Sequence, residues 1–239
     1  MRIINASYEI LDEINREDIL KRIEKVSRTC YKSEDKTTDE SASKLVSTLV
    51  KNGHEAMIEH ISISVKFICD RGISHELVRH RLASYAQESS RYCNYSKDKF
   101  NNEITFILPC WINKYNIKVG KYKFTLKDNG ITYYNNYFTS INEESWHDLE
   151  ILWIRHMLWS EKTYINMINR GWTPQEARSV LPNSLKTEIV MTANLREWKH
   201  FFKLRTAMVA HPQMRELTIP LLTEFKQALP EIFGGINEK

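Results

Sequence analysis

The chain has 239 residues, 42% of them apolar and 27% charged, which suffices for a buried core and excludes a disordered or fibrous polypeptide. A net charge of +4 is too small for a dedicated nucleic-acid binder but suits anionic small molecules. The opening Met1-Arg2-Ile3-Ile4-Asn5 has no apolar leader, no run reaches membrane-spanning length, and the cytoplasm is the expected compartment. Cys30, Cys69, Cys93 and Cys110 form no C-x-x-C pair, which argues against a zinc ribbon or a disulfide framework. Each is expected to be buried or half-buried. Without repeats or linkers, the expectation is one domain over 1–239.

Ile3 to Ile10 reads as a first strand. Glu17 to Ser27 is helical by the spacing of Ile19, Ile23 and Val26, and a charged loop runs from Lys32 to Glu40. Ser41 to Asn52 carries a helical stripe of Leu45, Val46, Leu49 and Val50, and Gly53 stands where a left-handed residue ends a helix. His54 and His60 follow, six apart rather than the four that put a zinc pair on one helical face. The plain reading is a turn with hydrogen-bonded histidines. Ile61, Ile63, Val65 and Phe67 alternate with Ser62, Ser64 and Lys66, the pattern of a half-buried strand. Asp70-Arg71-Gly72 then turns the chain, with Ser74 as a candidate cap.

Arg79 to Tyr92 gathers cations, hydroxyls and amides more densely than any other stretch. Ile73, Leu77, Val78 and Leu82 make an apolar stripe for a helix over 73–83, leaving Glu76, Arg79, His80 and Ala83 on another face. Ser84 to Arg91 is too polar for a packed helix and reads as an ordered loop, where period two would point Gln87, Ser89 and Arg91 the same way. Such an arrangement suits a phosphorylated, hydrogen-bonding ligand, whereas an isolated Arg-His-Arg would be a solvated basic turn.

Downstream, Ile104 to Leu108 is a short strand ended by Pro109, and 111–139 is an irregular excursion with a hairpin expected around Asp128-Asn129-Gly130. A long helix from Ser145 to near Gly171 would bury Trp146, Leu149, Leu152, Trp153, His156 and Met157. Thr173-Pro174-Gln175-Glu176 starts a helix that Leu181-Pro182-Asn183 stops, leaving Arg178 near its C-terminal end. Thr187 to Ala193 alternates as a strand. Asn194 and Glu197 then cap a helix that carries Trp198, Phe201, Phe202 and Leu204, with Arg196 and His200 four apart on another face. Arg205 lies nine residues after Arg196, about half a turn out of phase, so the two should not meet one ligand group. A last helix from Pro212 to Leu229 would bury Met214, Leu217, Leu221, Phe225 and Ala228, with a kink at Pro220.

These blocks resemble the flavin-dependent thymidylate synthases. The signature Arg-His-Arg, seven residues, Ser appears as Arg79-His80-Arg81 and Ser89, and it continues through Ala83-Ser84-Tyr85 and Arg91-Tyr92. Gly53-His54-Glu55 with Glu59-His60, Glu176-Ala177-Arg178 with Leu181-Pro182, and Asn194-x-Arg196 with Leu204-Arg205 follow in family order. The resemblance implies an α+β fold: a helix-rich single catalytic domain with a small, mostly antiparallel sheet, assembled as a homotetramer. It implies reductive methylation of dUMP to dTMP, with methylenetetrahydrofolate as carbon donor and NADPH-reduced FAD as hydride source. It also accounts for a dinucleotide enzyme without a G-x-G-x-x-G loop.

Carried over residue by residue, the resemblance implies that Ala56, Arg79, His80, Arg81, Gln87, Asn194, Arg196 and His200 bind the flavin. Glu76, Arg79, Gln87, Glu88, Ser89, Ser90, Arg91, Arg178 and Arg205 would bind dUMP. Arg205 is the implied catalytic residue: a cation against the uracil favours ionisation at N3 and pushes electron density toward C5. His54 resembles a histidine near the flavin and folate entrance. Ala56 stands where some relatives have a hydroxyl residue, and Glu76 where some have Gln. The implied partners are dUMP, folate, NADPH and further copies of the chain, with no metal, nucleic acid or membrane. Ser89 has no neighbouring base in the sequence and is expected to bind rather than attack.

Two other readings remain open on the residues. A cysteine-nucleophile, folate-dependent synthase needs Cys beside His, and Pro109-Cys110-Trp111 lacks the His. A non-catalytic nucleotide- or RNA-binding module would use the Arg-rich stretch alone.

Overall fold

A computed structural model describes residues 1–112, 119–121, 123–127, 130–134 and 149–237. Its first half runs β1 (Arg2–Ile4), β2 (Ser7–Ile10), α1 (Arg16–Tyr31), α2 (Ser41–Lys51), β3 (Ser62–Asp70), α3 (Arg71–Leu77), β4 (Ala83–Gln87) and β5 (Thr105–Ile107). Then come β6 (Gly120–Lys121), β7 (Lys123–Lys127), β8 (Gly130–Tyr134), α4 (Leu149–Asn169), α5 (Pro174–Ala177), β9 (Lys186–Asn194), α6 (Leu195–Arg205), α7 (Pro212–Ala228) and α8 (Pro230–Phe233). The fold is α+β, with strands in three small sheets ordered β5-β1-β6, β2-β3-β9-β4 and β7-β8. The chain divides into two compact units. One comprises Met1–Ala6, Ile68–His75 and Gln87–Glu188; the other comprises Ser7–Phe67, Glu76–Ala86 and Ile189–Lys239. The single first strand expected over Ile3–Ile10 is therefore two strands, β1 and β2, in different sheets.

In the first unit β1 pairs in parallel with β5, Ile3 opposite Phe106, and antiparallel with β6. Ile3, Phe106, Leu108, Ile154, Met157, Leu158, Tyr164 and Leu185 share its core. The inward face of α4 differs from the expected one: Leu149, Leu152 and His156 are exposed and Trp153 is half-buried. Trp146 lies outside the described residues, as do Asp128 and Asn129. The rotation follows from Glu161, two turns after Ile154. Its carboxylate takes the Met1 ammonium at 2.7 Å and the Ile104 N–H at 2.6 Å, which holds that face inward. The expected hairpin is present as β7 and β8, with Lys127 opposite Gly130. The capping box of α5 is also as expected, both the N–H and Oγ1 of Thr173 donating to Glu176 Oε2.

In the second unit α1 extends to Tyr31, past the expected end at Ser27. Buried Arg28 sustains its last turn, bonding Glu24 of the same helix and the Ser33 and Lys36 carbonyls. Gly53 has φ +75°, the left-handed conformation expected after α2. The alternation of β3 holds: Ile61, Ile63, Val65 and Phe67 are buried, Ser62 is exposed, and Ser64 and Lys66 are half-buried. Trp198, Phe201, Phe202, Phe225 and Phe233 pack ring against ring beneath it, and the Trp198 indole N–H donates to the Ile63 carbonyl at 3.0 Å. Truncating any one of these to Ala would cost about 3–5 kcal/mol. Of the last helix, Met214, Leu217, Leu221 and Phe225 are buried, while Ala228 is half-buried and Pro220 exposed.

The helix expected over 73–83 is shorter. It begins at Arg71 under Asp70, whose Oδ1 accepts the Ile73 N–H at 2.7 Å, so Asp70 and not Ser74 is the cap. It ends at Leu77, leaving Val78 exposed and Leu82 74% exposed. Ala83 to Gln87 instead form β4 beside β9, because pairing at a sheet edge outweighs a weak helical stripe. Cys30 is exposed, contrary to expectation, while Cys69 is buried and Cys93 and Cys110 are half-buried. Among the described residues no helix is long and apolar enough to cross a membrane.

Candidate active site

The second unit holds a cavity of about 850 Å³, within the size range of small-molecule sites. Arg79, His80 and Arg81 from the turn after α3 line it with Asn194, Arg196, Lys199, His200, Lys203 and Arg205 of the β9–α6 segment. Glu55 and Glu59 come from the helical turn over 55–60. Six of the expected flavin residues thus surround one space: Arg79, His80, Arg81, Asn194, Arg196 and His200.

The turn carrying the arginines is built by backbone bonds from Arg79 N–H to Glu76 and from His80 N–H to Leu77. Tyr85 of β4 secures it, its hydroxyl lying 2.7 Å from the Leu77 carbonyl and 2.8 Å from that of His80. Arg79 and Arg81 are exposed and, among the described residues, make no ion pair; Lys203 is the same. Arg196 is already paired, to Glu59 at 2.5 Å and more distantly to Glu55, and buried Lys199 is paired to Glu55. The cations open to an anionic ligand are therefore Arg79, Arg81 and Lys203. Asn194 caps α6, its Oδ1 accepting the Glu197 N–H at 2.8 Å, so the donors it has left for a ligand are those of its amide nitrogen.

His80 is the buried centre of this wall. Glu197, Phe201 and Arg205, four residues apart along α6, all reach it. Glu197 Oε1 lies 3.0 Å from Nδ1, the Phe201 ring stands edge-on at 4.9 Å, and Arg205 Nε lies 3.0 Å from Nε2. Burial lowers the His80 pKa, and the neighbouring Arg205 and His200 add to that, against the opposing pull of Glu197. Arg205 also donates from Nη1 to Glu76 Oε2 at 2.7 Å and from Nη2 to the Glu76 carbonyl at 3.0 Å. Three of its five N–H groups are engaged, so two remain. The donor atoms of His80, Glu197 and His200 lie within 4.8 Å of one another, close enough for a metal ion. An ion there would have to displace Glu197 or Arg205, since each holds one nitrogen of His80.

Ala56 and His54 are elsewhere. They line a smaller cavity of about 230 Å³ with Arg28, Tyr31, Leu45 and Met57. His54 and His60 are both exposed, so the expected hydrogen-bonded turn histidines are solvent-facing.

The first unit carries the other group of expected residues. Arg178 donates from Nη1 to the buried Ser90 Oγ at 3.3 Å, and Arg91 is exposed over the Tyr92 ring. Ser89 shapes the loop: its carbonyl accepts the Tyr92 and Cys93 N–H groups and its Oγ accepts that of Arg91. No base contacts that Oγ among the described residues, which fits a binding rather than a nucleophilic serine. Gln87 points inward, donating to Ser74 and Thr187. Both oxygens of Glu88 are engaged, one by the Tyr95 hydroxyl and one by Lys186 at 3.1 Å. The alternation expected to align Gln87, Ser89 and Arg91 therefore stops where β4 ends.

Sequence reasoning missed Lys199, Lys203, Tyr85 and the role of Glu197, which it read only as a capping residue. The four-residue spacing of Glu197, Phe201 and Arg205 was visible, but nothing in it pointed to His80.

A family model described as thymidylate synthase complementing protein matches residues 10–231. A flavin-dependent thymidylate synthase of Pyrococcus furiosus is 32% identical over 193 residues, 80% of this chain and 65% of that protein. One from Pyrococcus abyssi is 33% identical over 72% of this chain and 57% of its own length. The chain thus spans roughly three fifths of these relatives, whereas its match to the Corynebacterium efficiens enzyme, 29% identical, covers 90% of the chain and 78% of that protein. The fold is similar to that of a UMP/dUMP methylase from Streptomyces cacaoi crystallised with 5-Br dUMP. The TM-score is 0.70, at 20% identity over the whole of both chains.

Proposed function

The chain belongs to the thymidylate synthase complementing protein family, and on that premise we propose that it converts dUMP to dTMP, with methylenetetrahydrofolate as carbon donor, in the cytoplasm and as a homotetramer. The observation that carries the reading is the concave wall where Arg79, Arg81 and Lys203, which make no ion pair among the described residues, flank the buried His80. That donor set fits the pyrophosphate of FAD: guanidinium and ammonium groups in a concavity need no glycine-rich loop. FAD, when bound, supplies the hydride that reduces the transferred carbon, and NADPH restores it.

The chain's own residues bind and orient. Arg79 and Arg81 hold the pyrophosphate, with Lys203 beside them, while His200 and the Asn194 amide line the rest of the cofactor space. Arg196 must be shared with Glu59 to serve the same ligand. Ser89, Ser90, Arg91 and Arg178 form a cationic, hydroxyl-bearing surface suited to a nucleotide phosphate. Arg205, in the second unit, keeps two unengaged N–H groups, and its fixed positive charge beside a uracil would favour loss of the N3 proton and make C5 more nucleophilic. Gln87 and Glu88 support the loop from behind, through Ser74, Thr187, Tyr95 and Lys186.

Absorbance of the purified protein tests the reading. The expected result is a yellow protein, or one that turns yellow on taking up added FAD. Its colour bleaches with NADPH in the absence of oxygen, and it forms dTMP from dUMP and methylenetetrahydrofolate. A colourless protein that takes up no FAD would overturn it.

A further inference from the structure

Among the cavity residues, Glu197 has a place that binding alone does not explain. It is 5% exposed, lies behind His80 and bonds its Nδ1. Arginine does not give up its proton in a protein, so Arg205 can only donate to His80 Nε2. That nitrogen must carry a lone pair, and the imidazole proton is therefore on Nδ1, donated to Glu197. The order is fixed: the Glu197 carboxylate accepts from His80, and His80 accepts from Arg205. Glu76 takes the other edge of the guanidinium, and Thr218 Oγ1 donates to the Arg205 carbonyl at 2.9 Å. A second proton on His80 would put two donors and two cations 3.0 Å apart and release Arg205 from this orientation.

We propose that Glu197 is a positioning residue, holding His80 in its neutral Nδ1–H tautomer so that His80 fixes the orientation of Arg205. The link to turnover rests on the synthase reading; the tautomer and the bond to Arg205 do not. The charged and titratable groups around His80 are Glu197, Arg205 and His200 of α6, with Glu76 of α3 behind Arg205 and the Tyr85 hydroxyl of β4 on the His80 carbonyl. Among the described residues Glu197 is the one carboxylate bonded to the ring. Its charge favours the imidazolium, so removing the charge alone makes His80 harder to protonate.

The test uses the full-length protein labelled with ¹⁵N-histidine, in wild-type, Glu197→Gln and Glu197→Ala forms. Wild-type His80 should show the Nδ1–H tautomer at pH 7.5. Glu197→Gln, whose amide oxygen still accepts from Nδ1–H, should keep that tautomer and shift both the His80 titration and the acid limb of kcat to lower pH. Glu197→Ala should mix the tautomers and lower kcat at least tenfold while far-ultraviolet circular dichroism stays unchanged. An Nε2–H tautomer in the wild type overturns the proposal, as does an acid limb in Glu197→Gln that does not move. A wild-type Nδ1–H tautomer that Glu197→Gln keeps with a lowered His80 titration and Glu197→Ala mixes, but with no dTMP formation in any form, would sink the synthase reading while supporting the arrangement.

Discussion

Arg178 donates to Ser90 Oγ across 3.3 Å, tying the end of α5 to a loop 88 residues earlier in the chain. A guanidinium that could have served only to compensate a helix end instead stands over the turn shaped by Ser89, with the exposed Arg91 next along it. The neighbouring Glu88 has both carboxylate oxygens taken by Tyr95 and Lys186.

On the proposed function, this pattern separates binding from support within one loop. Arg178→Ala and Arg91→Ala should each raise KM for dUMP about tenfold or more, the loss expected of one charge-assisted bond, without lowering the melting temperature. Glu88→Gln should do the reverse, melting earlier with little change in KM, because it leaves half-buried Lys186 and buried Tyr95 with a poorer partner. Steady-state kinetics and thermal melts on the three variants check both halves. A large KM effect from Glu88→Gln would place its carboxylate on the substrate.

Arg205→Lys tests geometry at constant charge. Lysine has no planar fork and cannot bond His80 and Glu76 together, so turnover should fall roughly 10²–10³-fold while flavin absorbance is retained. Near-normal turnover in this variant would show that the charge alone, wherever it sits, is sufficient.

Arg79→Ala combined with Arg81→Ala should weaken FAD binding at least tenfold and make the remaining affinity less sensitive to salt. Neither side chain makes an ion pair among the described residues, so the flavin-free protein should melt as the wild type does. Fluorescence titration of the flavin at two salt concentrations measures this, and unchanged affinity would remove the pyrophosphate from the Arg79–Arg81 turn.

The lowered pKa of His80, set mainly by burial, has a stability consequence with a defined sign. Below about pH 6.5 the unfolded chain protonates this histidine while the folded protein does not. Stability from this group is thus complete above about pH 6.5, falls as pH drops through the gap between the two values, and levels off once folded His80 is protonated. Urea midpoints at pH 7.5 and 5.5 should show the loss in the wild type, and His80→Gln should show a smaller one. An equal loss in both would assign it to other groups.

Much of the scaffold was written locally. The caps at Thr173 and Asn194 use hydrogen bonds that close within three residues, Gly53 supplies its own positive φ, and the alternation of Ile61 to Phe67 needs only the pleat of a strand. The family blocks likewise named six residues that converge on one cavity. Tertiary structure alone decided that α3 stops at Leu77, that α4 turns its Glu161 face inward, and that Tyr95 and Lys186 take the two carboxylate oxygens of Glu88. It also decided the bonds from His80 to Glu197 and from His80 to Arg205, which span 117 and 125 residues of chain. Periodicity shows which side of a helix is buried, whereas the partner waiting on that side, and the proton it requires, depend on where a distant segment packs.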